Sequence, residues 1–243
     1  MKNIHIITPV KDNIEQTLET VRAVVRSQLD VPHTYTVYND FSSEESTVRL
    51  TEAARETGFQ LVNLSDLTTH PSPNYLLVLQ RERQMCLEED AALLIVESDV
   101  VVRPDTLNGL WESAQRHSEA GIVASVTVDE EGKVNYPYDF VRRWPAQKFG
   151  QGCVPSSHHC SFCCSLLTTE LMRRVDFGAL DSSKSWFDVT ISHRSLELGL
   201  QNYVLTSHPV LHRPHGSRPW KQLKYKNPLK YYWLKLTKGL DKI

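Results

Sequence analysis

Four β-prone segments recur through the first hundred residues: NIHIIT (3–8), TYTVY (34–38), FQLVNL (59–64) and ALLIV (92–96). The stretches between them carry helical spacing. Ile14, Leu18, Val21, Val25 and Leu29 fall three or four residues apart, with Asp12 and Asn13 placed as a cap. Ser42 and Ser43 precede a helical segment running to Arg55, for which Gly58 is a stop, and residues 75–89 read as helix after the turn-rich THPSPN. Strand, helix and strand repeating at this interval predict βαβ units and a mostly parallel sheet covered by helices on both faces. Ligands of such sheets bind beyond the carboxyl ends of the strands. Both NDFSS (39–43) and ESD (97–99) fall at such ends.

The second of these raises a question of energy. In ALLIVESDVVV, Glu97 and Asp99 interrupt an apolar run, and an unpaired carboxylate in a low-dielectric interior is expensive. Two readings satisfy that constraint: a strand that ends at Val96 with both acids in a solvated turn, or a cation site at the strand end.

The second half of the chain is less regular. Pro104 suits the first turn of a helix reaching about His117, and GIVASVTV, DEEGK and VNYPY read as strand, turn and return strand. Residues 144–160 are loop-rich, SFCCSLLT is a strand candidate, TTELMRRV a short helix, 188–198 a helix ended by Gly199, and QNYVLTSHPVLH a strand.

The 243 residues suffice for one large domain, and no apolar stretch approaches the ~20 residues of a bilayer span. The opening MKNIHIITPVKDN lacks the apolar core of a signal peptide, because its apolar run breaks at Pro9. Five cysteines, four of them within 153–164, argue against a disulfide scaffold and for a reducing, cytoplasmic setting. Six residues, Cys153, His158, His159, Cys160, Cys163 and Cys164, offer zinc ligands, yet lack two separated Cys-x-x-Cys pairs. From Arg213 to Ile243 there are nine Lys/Arg to one Asp, a basic aromatic tail on an acidic body. Its NPLKYYWLKLTKGLDKI segment suits an anionic membrane surface, with Tyr231, Tyr232 and Trp233 at the interface. The acidic body speaks against nucleic-acid binding.

The order of these motifs over residues 3–218 resembles the family 2 glycosyltransferases of the GT-A fold. IITPVKDNIEQTLETV is similar to the family's opening strand and helix, VYNDFSSEES to its acidic strand-end motif, LIVESDVVVRPDTL to its Asp-x-Asp metal motif, and WFDVTISHRSLELGLQNYVLTSHPVLH to its acidic helix start and His-terminated strand. The resemblance implies a single α/β domain with a Rossmann-like mixed, mostly parallel sheet flanked by helices. Residues 1–98 would form its nucleotide-sugar-binding half, 99–215 its acceptor and catalytic half, and 216–243 the tail. It implies a metal-assisted, inverting glycosyltransferase that joins a sugar from a nucleotide-diphosphate donor to a glycan or lipid-linked acceptor, in polysaccharide or glycolipid synthesis.

The resemblance also assigns residues. Asp99 and His212 would ligate Mn²⁺ or Mg²⁺, and Glu97 and Ser98 would touch ribose or a metal-bound water. Thr8, Pro9, Asn39, Asp40 and Ser42 would line the nucleotide pocket, with Asn39 in place of the family's first Asp and Phe41 in place of its Gly. Arg81, or its rival Arg83, would pair with Asp40 or a phosphate, and His215 and Arg218 would contact the diphosphate. Asp188 would be the general base, with Phe187 where the family has Glu; His158, His159 and Trp144 would line the acceptor pocket. Two other classes compete: a non-catalytic glycosyltransferase-like or zinc-binding interaction module, and a nucleotidyltransferase, against which ITPVKDN offers no glycine for a phosphate loop.

Overall fold

The computed structural model describes residues 1–137, 150, 152–184, 186–213 and 227–238. The four predicted strands are β1 (Asn3–Val10), β2 (His33–Asn39), β3 (Gln60–Asn63) and β4 (Ala91–Val96), and they pair in parallel as β3-β2-β1-β4. The intervening helices are α1 (Ile14–Val25), α2 (Glu44–Thr57) and α3 (Tyr75–Glu89). Gly58 ends α2 with φ +83°, a left-handed backbone that glycine adopts without strain.

Beyond β4 the sheet becomes mixed. The short β9 (Cys164–Leu167) inserts antiparallel between β4 and β6 (Ala120–Val128). The long β10 (Gln201–His212) then runs parallel to β6, and β5 (Val100–Val101) pairs antiparallel with its end. The β6–β10 register slips between Leu205 and Val210, around Pro209, which has no N–H to give a ladder. β7 (Val134–Tyr136) extends β6, and β8 (Cys153–Ser156) lies on β10, so the loop-rich reading of 144–160 gives way to a strand there. The remaining helices are α4 (Thr106–Arg116), α5 (Thr169–Arg174), α6 (Phe187–Glu197) and α7 (Pro228–Lys238).

Both faces of the sheet are buried, which is why β4 is apolar at every position. Ile7, Leu93 and Ile95 pack with Val78 and Leu79 of α3 and Ile191 of α6. Ile4, Ile6, Leu94 and Val96 pack on the other side with Val24 of α1 and Leu107 and Leu110 of α4. Each such side chain contributes about 1.5–3 kcal/mol by leaving water. One polar network interrupts the α3 side. His5 lies 3.1 Å from Glu82 through Nδ1 and 3.1 Å from Glu89 through Nε2, and the Tyr38 hydroxyl donates to Glu82.

One expected cap and one expected helix start differ. Asn13 occupies the N-cap of α1 in a left-handed conformation with no side-chain cap bond, and the Asp12 carboxylate accepts the Ser43 N–H at 2.7 Å instead. The helix expected from 188 begins at Phe187, so Asp188 lies in its first turn and not at a cap. Among the described residues no helix is long and apolar enough to cross a membrane.

Candidate active site

β4 runs out at Val96, and a bond from the Val100 N–H to the Glu97 carbonyl (3.2 Å) turns the chain back through Ser98 and Asp99, both buried. The turn is clamped from two directions. The Glu97 N–H donates to the Cys163 carbonyl (2.9 Å), one residue before β9, and the Arg213 N–H donates to the Asp99 carbonyl (3.0 Å), one residue after β10. These bonds bring three chain segments to one point. Ligand atoms of Glu97, Cys163 and His212 lie within 4.8 Å of one another. The His212 Nε2 is 3.8 Å from the Cys163 Sγ and 3.6 Å from the Asp99 Oδ2. Of the two expected acids, Glu97 thus joins His212 and Cys163 in the triad, while Asp99 approaches it from the His212 side.

Two helix starts face the same place. Tyr75 opens α3 and packs its ring 6.4 Å from Phe187 of α6. Burial, then the charges of Glu97 and Asp188, push the Tyr75 phenol far up, and its hydroxyl has no hydrogen-bond partner among the described residues. The Glu97 carboxyl is pushed up first by burial and then by the Asp99 charge, with Asp188 adding to this and His212 opposing it. Two carboxylates, an imidazole and a thiol therefore share a largely buried corner within reach of the Asp188 charge, with an excess of negative charge. Such a donor set fits a divalent cation, which would relieve the repulsion that Glu97 records.

The second predicted motif is built differently from its expectation. Asn39, 3% exposed, donates to Thr47 (3.0 Å) and Asn63 (2.9 Å) and accepts the Ser42 N–H (3.2 Å), so its amide stitches strand ends together. The Asp40 carboxylate accepts from the Ser72 hydroxyl (2.7 Å), the Asn74 N–H (2.9 Å) and the Asn74 side-chain amide (2.7 Å). Asp40 thereby holds the start of α3, and with it Tyr75. The Ser42 Oγ accepts the Asp12 N–H (2.9 Å), and Ser43 is the residue that caps α2. Phe41 takes φ +54°, the left-handed region in which glycine is at ease.

Other expected contacts lie elsewhere. The Thr8 side chain is fully buried and bonds the Tyr35 hydroxyl (2.9 Å), so it does not line the edge, whereas Pro9 is partly exposed there. Arg81 is exposed, and the Asp40 carboxylate is taken up by Ser72 and Asn74 instead; burial and Glu82 push the Tyr38 phenol up, and Arg81 opposes them. Arg83 bonds the Met172 carbonyl (2.8 Å) and lies 3.3 Å from Asp176, tying α3 to the α5 region. The six Cys/His zinc candidates do not assemble: Cys160 packs in the α3-side core, Cys164 in the α4-side core, His158 is exposed, and all five cysteines are free thiols. Tyr231, expected at an interface, is buried. His215, Arg218 and Trp144 lie outside the described residues.

Sequence reasoning missed Tyr75 and Asn74, and it counted Cys163 only among the zinc candidates and not beside Glu97 and His212. A signal for two of them existed: in βα units every helix start lies at the same edge as the strand ends, so Asn74 and Tyr75 belonged on the candidate list. The place of Cys163 at this edge was hidden because SFCCSLLT reads as one buried strand, whereas the strand begins only at Cys164.

No protein-family profile and no curated relative matches the sequence. Solved structures do. The mannosyltransferase PcManGT from Pyrobaculum calidifontis, in complex with GDP-Man and Mn²⁺, superposes with TM-score 0.64 at 12% identity over 96% of this chain and 64% of its own. S. aureus TarS in complex with UDP-GlcNAc gives TM-score 0.58 at 15% identity over 88% and 59%. A mycobacterial protein gives 0.58 at 17% identity over 91% and 70%. The chain thus spans about three fifths of the length of the first two. Its fold is a GT-A-like glycosyltransferase fold.

Proposed function

We propose that the chain transfers a sugar from a nucleotide-diphosphate donor to an acceptor hydroxyl, with inversion and with a divalent ion. The observation that carries this is the meeting of Glu97, Asp99 and His212 at the carboxyl edge of a GT-A-like sheet, with Asp188 within electrostatic reach of Glu97. Glu97 and His212 hold the ion, and Asp99 adds charge and orients His212. The ion, when bound, supplies positive charge to the leaving diphosphate. Asp188, on the first turn of α6 and within electrostatic reach of Glu97, takes the proton of the acceptor hydroxyl as that oxygen attacks the anomeric carbon from the side opposite the leaving group. Residues 1–98 form the donor half and 99–215 the acceptor half.

The acceptor is lipid-linked or membrane-borne, in glycolipid or polysaccharide synthesis. In α7, Leu229, Tyr232, Trp233 and Leu236 are 86%, 53%, 63% and 85% exposed, and their spacing places them on one stripe. An outward apolar stripe on a basic helix suits the anionic inner face of a membrane. The non-catalytic zinc module loses its ligand set, since the six candidate residues are dispersed.

The test is a thermal-shift screen of nucleotide sugars with and without Mn²⁺. A ligand that binds only the folded state at 100 times its Kd stabilises it by about 2.7 kcal/mol. Glu97→Gln and Asp99→Asn lower the metal-dependent shift; Asp188→Asn keeps it and loses turnover. A protein that no nucleotide diphosphate stabilises in a metal-dependent way would end this reading.

A further inference from the structure

One member of the triad is out of place in a site for a hard, oxygen-seeking ion. Cys163 sits between the two groups assigned to the ion: its Sγ is 3.8 Å from the His212 Nε2, and its carbonyl is bonded to the Glu97 N–H at 2.9 Å. Its thiol has a further hydroxyl beside it, Ser161 Oγ at 3.0 Å. The position is fixed by the backbone on both sides, by the pairing of Val96 with Cys164 in one direction and of Val100 with His212 in the other.

We propose that Cys163 is a ligand of the ion held by Glu97 and His212, and that the site therefore selects a thiophilic divalent ion of the Zn²⁺ or Co²⁺ type over Mg²⁺. The inference rests on the ion reading above and deepens it. Zinc bonds of about 2.3 Å to sulfur and about 2.0 Å to nitrogen, opened to a tetrahedral angle, separate the two donor atoms by about 3.6 Å. The observed separation is 3.8 Å, so the Cys163 and His212 side chains already stand at the spacing of a shared ion. Glu97 supplies the third donor from within 4.8 Å. Three protein donors leave a position for diphosphate oxygen, the arrangement of a catalytic rather than a closed structural site. A thiolate with imidazole favours zinc and cobalt and gives nothing to magnesium, which takes oxygen ligands. On binding, the metal–sulfur bond forms as the thiol proton leaves to solvent, so uptake of the ion releases one proton from Cys163. Ser161, against the sulfur, is placed to hold the thiolate by an O–H donation.

The experiment is a titration of the full chain, freed of metal, with Co²⁺ alone, followed by absorbance and thermal shift. A thiolate ligand produces an intense sulfur-to-cobalt band in the near ultraviolet. The expected result is such a band in the parent protein, bleached by Zn²⁺, untouched by excess Mg²⁺, and absent from Cys163→Ser, with Zn²⁺ affinity lowered at least about tenfold. His212→Gln, which leaves all five thiols in place, abolishes the band too, and circular dichroism establishes that both variants fold. Cobalt binding with a thermal shift but no sulfur band overturns Cys163 as a ligand and leaves the Glu97–His212 ion site standing. A band that survives Cys163→Ser also overturns it. No binding of Co²⁺, Zn²⁺ or Mn²⁺, alone or with a nucleotide diphosphate, overturns both this inference and the ion on which it rests.

Discussion

Asp40 gives the sharpest test of how the site is built. Its carboxylate, 8% exposed, receives three donors from the segment that opens α3, at 2.7–2.9 Å. Hydrogen bonds to a charged acceptor contribute about 1.5–3 kcal/mol each, and a donor left buried without a partner costs about 1–3 kcal/mol. In Asp40→Ala the Asn74 side chain keeps its bond to the His70 carbonyl (3.0 Å), and the half-buried Ser72 hydroxyl regains water. The Asn74 peptide N–H alone is orphaned in a residue only 7% exposed. The expected loss is therefore about 3–4 kcal/mol, below the simple sum because the three bonds share one acceptor. Asp40→Asn retains an oxygen for the Asn74 N–H and turns an NH₂ toward the Asn74 amide, a loss of about 1–2 kcal/mol. Urea unfolding at an unchanged m value reads both numbers. A pure base-reading role predicts the opposite pattern, weak nucleotide binding on an undisturbed fold. An Asp40→Ala protein within 1 kcal/mol of the parent, by the same scale, would refute the account of Asp40 as the anchor of α3.

Two further outcomes follow from buried and exposed extremes of the same chain. The His5 imidazolium is favoured by the hydrogen bond it donates to Glu82, against burial and with help from Glu89, so its pKa lies above the ordinary 6.5. That stabilisation is complete below pH 6.5 and is lost as pH rises through the raised folded value; unfolding free energy should fall over that window, and His5→Gln should flatten the profile. A parent profile with no such fall would remove His5 from the argument. On α7, replacing both Trp233 and Leu236 by Glu should abolish sedimentation with vesicles rich in anionic lipid, and added salt should weaken the parent's binding as the lysines are screened. A parent protein that ignores such vesicles at low salt defeats the membrane assignment.

How much of this was legible in the sequence depended on which physical signal each residue carried. The βαβ half was legible because periodicity reports burial directly. The stretch 75–89 is a helix to the residue, and ALLIV lies within β4, because one face of α3 and both faces of β4 are committed to the core. β8 was not legible: a four-residue strand with Pro155 at an exposed position has no periodic signal, and only its antiparallel pairing with β10 makes it a strand. The caps were half legible. Asp12 and Ser43 have the right chemistry for capping, but Asp12 spends its carboxylate on the next unit's Ser43 N–H, a long-range choice that local spacing does not encode.

The site divides along the same line. Residues at strand ends, Glu97 and His212, could be placed on one edge from topology alone, since a parallel sheet puts its carboxyl ends together. What topology did not settle is which side chain meets which. The Glu97–Val100 turn reverses the chain, so Asp99 comes back toward β10, while Glu97, still on the line of β4, faces the residue before the antiparallel β9. That neighbour is Cys163 because β9 breaks the parallel pattern between β4 and β6, and an antiparallel insertion brings its amino end to the edge where parallel strands bring their carboxyl ends. A thiol thus arrives among carboxylates by a rule of sheet geometry and not by a motif. The general consequence is that in a mixed α/β sheet the candidate list at the ligand edge must include the residue that precedes each antiparallel strand. In this chain that residue is Cys163, on which the proposed choice between a hard and a soft ion turns.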